Sequence, residues 1–539
     1  MTRSMHVASL MVAMLLIAGC GGGGSGGGTT PPPAGSSGTT PPAAGSSGTP
    51  PPPAGSSGNN PTPVTTDSQL RALIQSKGLT GDPMAGRALP SIDDPLPQLG
   101  KLLFFTKALS GNLDTACASC HHPALGGADG LSLSVGPGAV DPGLLGAGRR
   151  LAAGLQTMGR NAPTFFNTGL YDSGLFHDSR VESLNKTARS NGVGGAIRTP
   201  DVPFNTQDTK AGASLPAAQA RFPVVQANEM RGNLEPAMTG AEIRDHLAAR
   251  LGNYGSGTGL LASSQWLERF RTAFRSSGTA QELITFDNIA LALAEYERSA
   301  TFTDTPWNRY VRGDAAAISA PAKEGALMFF RTTAEGGAAC AQCHSGDTFT
   351  DERHHALGFP QIGPGKGDGT SSRDDFGRGR ESGVESDRYR FRTPSLLNVE
   401  LTAPYGHAGA YIDLETVFGH YVVPDNIVGD YLGGAAWCRL PQFQGVSDCA
   451  TMFPAAADLT RAALAKMNAD RSTQPADSMP VIDPDRVPQT AIEPMVQFLQ
   501  TLTDPCLKNR ACFGRWIPGA AEAPDAHQLN AVDAAGRQL

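Results

Sequence analysis

At 539 residues the chain exceeds what a single hydrophobic core usually serves, so more than one domain is expected. Its balance of 43 Lys+Arg against 50 Asp+Glu is mildly acidic and holds no long basic run, which argues against nucleic acid as a partner and favours a basic protein instead.

Residues 1–20 carry Arg3, an apolar run over 8–18, and the ending Leu16-Ile17-Ala18-Gly19-Cys20. The run is shorter than the roughly 20 residues a spanning helix needs, so it reads as a cleaved signal peptide with a lipobox. Cys20 is then the lipidated N-terminus. Gly21 and Gly22 follow it in place of the Asp associated with inner-membrane retention, which points to the periplasmic side of the outer membrane. Residues 21–66 are mostly Gly, Pro, Ser and Thr, with one ten-residue unit repeated at 29–38, 39–48 and 49–58. Such a composition forms no core and predicts a disordered tether with an r.m.s. reach of roughly 35 to 40 Å.

Folded sequence begins near Asp67, read as the N-cap of a helix over 68–77 that Gly78 closes. Helical periodicity recurs at 241–251 and at 286–300, where Ile289, Leu293 and Tyr296 share a face, and again near 321–330, 414–421 and 491–502. Strand-like alternation is rare. The pattern predicts a mainly α protein with long loops, divided into domains 67–305 and 306–518, with 519–539 as a tail that carries no functional signal.

One pentapeptide pattern occurs twice, as Cys117-Ala118-Ser119-Cys120-His121 and Cys340-Ala341-Gln342-Cys343-His344. On a helical turn the two sulfurs fall at i and i+3 and the imidazole at i+4, so both thiols reach one porphyrin while the histidine reaches its iron. A zinc site would need a second ligand pair nearby, and none is evident. Two covalently bound haem c groups are therefore expected, with His121 and His344 as proximal ligands. Cys438, Cys449, Cys506 and Cys512 remain; in an oxidising compartment their simplest pairing is 438 with 449 and 506 with 512, and crossed pairings stay open.

Further runs, Ala108-Leu109-Ser110-Gly111-Asn112, Arg160-Asn161-Ala162-Pro163-Thr164, Asn228-Glu229-Met230, Phe391-Arg392-Thr393-Pro394-Ser395-Leu396 and Leu401-Thr402-Ala403-Pro404-Tyr405-Gly406-His407-Ala408-Gly409, lie in residues 90–505. With the two haem motifs they resemble the bacterial di-haem cytochrome c peroxidase and MauG family. The resemblance implies two cytochrome c-like haem domains, the first haem reacting with peroxide and the second, six-coordinate, transferring electrons. It implies Tyr421, fourteen residues after His407, as second axial ligand of the C-terminal haem, with His420 as a competitor. The matching position is methionine in the peroxidases and tyrosine in MauG. Glu229 matches the family's acid/base, and Asn161 with the carbonyls of Thr402 and Pro404 matches an interdomain Ca²⁺ site.

No histidine lies between 123 and 176, where relatives that need reductive activation hold a distal one, so the first iron is expected to stay open. His122 reads as a surface residue. Two departures stand out: His177, in Phe176-His177-Asp178-Ser179-Arg180, replaces the family's bridging tryptophan between the haems, and Thr187 replaces a glutamine near the site. Residues 191–228 are longer than the usual connection and are expected to cover one face of the first domain.

The expected activity is that of an oxidoreductase of cytochrome-c peroxidase type, reducing hydrogen peroxide with electrons from a small c-type cytochrome or cupredoxin. A MauG-like oxidation of a partner protein is the second reading. A non-catalytic electron-transfer cytochrome is the third.

Overall fold

The structure, a computed structural model, describes residues 65–473 and 478–539. The expected signal peptide, Cys20 and the tether up to residue 64 lie outside the described residues. Among the helices of the described residues, those that organise the fold are α1 (Thr66–Ser76), α2 (Pro95–Phe105), α3 (Gly240–Gly252), α4 (Trp266–Phe274), α5 (Phe286–Ser299), α6 (Ala320–Phe330), α7 (Leu414–Val422), α8 (Ala456–Thr473) and α9 (Ile492–Gln500). Their starts follow from capping chemistry. The side chains of Thr65, Thr239, Thr285, Ser319 and Asp413 accept backbone N–H groups at the starts of α1, α3, α5, α6 and α7. Proline sits in the first turn of α2 and α6, where its missing N–H costs nothing.

Two helix crossings repeat one design. Helix α2 crosses α5, and α6 crosses α9. At each crossing a glycine lets backbone touch backbone: a Cβ on Gly100 would fall 1.9 Å from the carbonyl oxygen of Ala292, and one on Gly325 would fall 2.0 Å from that of Pro494. Each glycine opens the same spacing, Gly100 to Phe104-Phe105 and Gly325 to Phe329-Phe330, just before a Cys-x-x-Cys-His motif. The first core gathers Leu103, Phe104, Phe105, Trp266, Leu293 and Tyr296; the second gathers Trp307, Phe329, Phe330, Phe349, Phe498 and Leu502.

The ends of the described chain cross over between these cores. Helix α1 buries Leu70 and Ile74 in the second core, and Asp67, which is not the N-cap, takes the hydroxyl of Tyr310 at 2.7 Å and pairs with Lys323 at 2.9 Å. Conversely, residues 506–539 pack on the first core: Trp266 Nε1 donates to Asp525 at 2.7 Å, Leu529 N donates to the Phe105 carbonyl at 2.8 Å, and Tyr296 donates to the Trp516 carbonyl at 2.8 Å. The division expected at 305/306 therefore does not hold at the ends, because α1 joins the second core and the stretch expected as a tail braces the first.

Strand is sparse. An antiparallel three-stranded sheet runs β1 (Gly174–Leu175), β2 (Val181–Ser183), β3 (Ile197–Arg198) in spatial order, and β4 (His354–Ala356) pairs antiparallel with β5 (Arg390–Arg392). The long 191–228 connection supplies β3 and packs Leu215 and Phe222 into a small core of its own. It also reaches the second half: Phe204 lies between the guanidinium groups of Arg198 and Arg378, 4.8 and 5.0 Å from its ring centre. Among the described residues no helix is long and apolar enough to cross a membrane.

Candidate haem sites and the cavity between them

Each Cys-x-x-Cys-His motif begins as a single 3₁₀ turn, Cys117–Ser119 and Cys340–Gln342. The turn is closed when His121 N donates to the Cys117 carbonyl at 3.0 Å and His344 N to the Cys340 carbonyl at 2.9 Å. All four motif cysteines are free thiols, and all four line one cavity together with both histidines. His344 Nδ1 donates to the Phe349 carbonyl at 3.1 Å, which leaves Nε2 as the ligating nitrogen. Burial holds both imidazoles below their usual pKa range, in the neutral form that binds iron. Free thiol pairs, neutral histidines and a shared cavity walled by Phe104, Leu293, Phe418 and Leu499 fit two covalently attached haems.

Around the first motif the wall becomes polar. Glu229 is carried on a π-helical turn, Ala227–Arg231, and lines the cavity. Arg180 Nη2 lies 3.6 Å from Glu229 Oε1, while its guanidinium rests 3.6 Å over the ring centre of Phe176. Arg160 forms a fork to Asp375 at 2.6 and 2.7 Å and reaches Asp178 at 2.5 Å. Burial raises the Asp178 carboxyl, but Arg160 and Arg180 more than reverse this and hold it well below the usual carboxylate range. Asp375 is likewise brought down to about 2 by Arg160, against its burial.

His177 lines the same cavity and donates from Nε2 to the Asn161 carbonyl at 3.1 Å; burial first, then the charge of Arg160, lowers it to about 3, so its ring is neutral. Thr187 is exposed and takes no part in the cavity wall. His122 is not a surface residue: it is 1% exposed, packs edge-on to Phe105 at 5.5 Å and accepts from Ala124 N at 3.2 Å. Its turn folds back against α2 beneath the motif, and burial lowers it to about 3.

At the second motif the two candidate ligands part company. His420 is fully buried with both ring nitrogens engaged: Nε2 donates to the Leu357 carbonyl at 2.8 Å, and Nδ1 accepts from the Tyr411 hydroxyl at 2.9 Å. Tyr421, one step along α7, lines the cavity with Cys340, Cys343 and His344. Asn161 joins the halves, its N–H donating to the His407 carbonyl at 2.8 Å and its Nδ2 to the Leu131 carbonyl at 2.7 Å. That geometry turns the side-chain oxygen away from Leu131, and Thr402 and Pro404 line the neighbouring wall. Disulfides join Cys438 to Cys449 and Cys506 to Cys512. The buried Arg160 clamp and Arg180 were missed in the sequence; the charged ends of Arg160-Asn161-Ala162-Pro163 and Phe176-His177-Asp178-Ser179-Arg180 were the available signal.

Residues 95–316 match the family model described as di-haem cytochrome c peroxidase. The methylamine utilization protein MauG of Methylorubrum extorquens is 29% identical over 326 residues, covering 60% of this chain and 67% of that protein. The cytochrome c551 peroxidase of Pseudomonas aeruginosa is 26% identical over 345 residues, covering 62% of this chain and 76% of that protein. A solved MauG-like protein associated with microbial copper homeostasis superposes with a TM-score of 0.49 at 20% identity, over 80% of this chain and 96% of that one. Residues 95–316 are thus a di-haem cytochrome c peroxidase domain, and the mainly α chain that carries them is similar to MauG and to cytochrome c551 peroxidase, an oxidoreductase of peroxidase type whose family carries two haem c groups.

Proposed function

We propose that this chain reduces hydrogen peroxide to water at the first haem site, with electrons that enter through the second from a small c-type cytochrome or cupredoxin. The observation that carries the reading is the polar wall of the first pocket, where Glu229 shares a cavity with His121 and Arg180 stands 3.6 Å from its carboxylate. The haems, when bound, supply the iron that takes the peroxide and the path that delivers electrons. Glu229 would move the proton: its carboxylate would accept from one peroxide oxygen and return the proton to the other, so that the O–O bond could break with one water leaving, while two electrons from the donor and two protons from solvent would convert the remaining oxygen to the second water. Arg180 fixes the direction of that carboxylate. No histidine from 123 to 176 competes for the open position; Met158, which lines the cavity, is the weaker alternative ligand in that stretch.

At the second site His344 and Tyr421 are the axial pair of this proposal, supported by the engagement of both His420 nitrogens elsewhere. The Asn161 side-chain oxygen with the carbonyls of Thr402 and Pro404 would hold Ca²⁺, hard oxygen donors from both halves. Lipidation at Cys20 would place the enzyme on the periplasmic side of the outer membrane, held off the surface by its tether.

Tyr421 also favours a second reading, MauG-like oxidation of a residue on a partner protein, since a phenolate ligand lowers the potential of its haem. His177 weighs against it, because imidazole is harder to oxidise than indole and carries charge between the haems less readily. Peroxide-dependent oxidation of a reduced c-type cytochrome by the as-isolated ferric protein, without prior reduction, separates the two. Rapid turnover supports the peroxidase; prompt haem-band changes without turnover support the second reading.

A further inference from the structure

The loop 363–375 belongs to the second half of the chain yet closes the first pocket. A Cβ on Gly159 would fall 1.9 Å from the Gly365 carbonyl oxygen, so the two strands of chain meet with no side chain between them. The next residue on one side is Arg160, whose fork to Asp375 ties the far end of the same loop to the first domain. The next residue on the other side is Lys366. Its backbone is held from both directions, its N–H donating to the Asp374 carbonyl at 2.9 Å and its carbonyl accepting from Arg380 at 2.8 Å. The backbone pins the side chain into the cavity that Glu229, Arg180 and His121 line.

There Lys366 is the odd cation. Arg160 takes Asp178 and Asp375, Arg180 takes Asp178 and Glu229, and the Lys366 ammonium has no hydrogen bond or ion pair among the described residues. Burial, and then the positive charges of Arg180 and Arg160, lower its pKa. A fixed ammonium in a drying cavity is costly unless it meets an anion, and it is strongly attractive to one that enters.

We propose that Lys366, lent by the second domain, is the anion-holding group of the first haem pocket. It donates a charge-assisted hydrogen bond to a small anionic ligand at the open position, including the peroxide once Glu229 has taken its proton. The proposal rests on the reading of that pocket as open and served by Glu229. It makes Lys366 the partner of Glu229: the carboxylate carries the proton while the ammonium balances the charge left behind, and neither atoms nor electrons are added by the lysine.

The test uses the full-length ferric holoprotein and two probes followed by the haem spectrum, fluoride as the anion and imidazole as a neutral ligand. Wild type is expected to bind both. Lys366→Gln should weaken fluoride by about tenfold or more, the worth of one charge-assisted hydrogen bond, while imidazole changes by less than about twofold. Lys366→Arg should restore most of the fluoride affinity. Equal loss of both probes, or unchanged fluoride affinity in Lys366→Gln, overturns the proposal and leaves the open pocket standing. Failure of wild type to bind either probe overturns the open-pocket reading, and the proposal with it.

Discussion

Asn167 and Asn398 donate their side-chain amides to the same atom, the carbonyl oxygen of Phe302, at 3.4 and 3.0 Å. Both residues adopt the left-handed backbone conformation, φ 63° and 66°, and each opens a 3₁₀ turn, Thr168–Leu170 and Val399–Leu401. Asparagine tolerates that region better than other side chains that carry a Cβ. Their oxygens finish the joint by accepting from Phe302 N at 2.8 Å and from Asp504 N at 2.9 Å. The two halves of the molecule thus meet as equivalent loops on one peptide of the segment between them.

Asn398→Ala should therefore lower stability by about 2 to 4 kcal/mol, from a stranded buried N–H, a lost donor and the left-handed strain of alanine. Because the Phe302 carbonyl serves both halves, and the chain ends cross between cores, far-UV and haem-band melts should shift together in one transition. Two separated transitions would count against a shared joint.

Helices α1, α3, α5, α6 and α7 were legible because their apolar residues recur at helical spacing and polar caps precede them. Helix α2 was missed: Pro95-Leu96-Pro97 opens it and its second half is apolar all round, so no amphipathic face shows. Its likeness to α6, glycine followed at the same distance by paired phenylalanines, was a readable signal. The bracing role of residues 519–539 was not, since Asp525 and Leu529 gain meaning only from Trp266 and Phe105, hundreds of positions away. His122 was misread for a similar reason, as the motif turn that exposes its neighbour to the cavity presses it onto α2.

Tyr421 and His420 give opposite expectations. Tyr421→Met should keep the second haem low-spin and raise its potential by more than about 59 mV, a tenfold shift for a one-electron couple. His420→Ala should leave the ligation spectrum unchanged and cost about 1 to 3 kcal/mol by stranding the Leu357 carbonyl and the Tyr411 hydroxyl. Spectroelectrochemistry of both variants checks the pair; loss of the low-spin haem in His420→Ala alone would reverse the assignment.

Glu229→Gln keeps the size of the side chain and removes the proton carrier. Its kcat/KM for peroxide should fall about 10²- to 10⁴-fold, while the ferric spectrum and the affinity for reduced donor stay as in wild type. Stopped-flow mixing with peroxide measures it. A loss below tenfold would place the proton transfer elsewhere.

Glu297, buried on α5 with no ion pair among the described residues, should contribute stability that is lost as pH rises. Burial pushes its carboxyl up to about 8, above its ordinary value of 4.5, so between those limits the folded protein keeps a proton that the unfolded chain has released. The Glu297 contribution is thus full below pH 4.5 and is lost as pH rises through 8, at about 1.4 kcal/mol per unit. Buried neutral histidines such as His122 and His177 give the opposite slope below about pH 6.5, so the contribution is read as the difference between wild type and Glu297→Gln in thermal melts. That difference should shift against wild type as pH rises from about 6.5 to 8; a difference that shifts in favour of wild type over this window would contradict the sign.

The proposed chemistry needs one open haem and one closed haem in the same chain. Low-temperature EPR of the as-isolated ferric protein should show one high-spin signal from the haem held by His121 alone and one low-spin signal from the haem held by His344 and Tyr421. Two low-spin signals would mean that a side chain closes the first iron, and would rule out an open peroxide site.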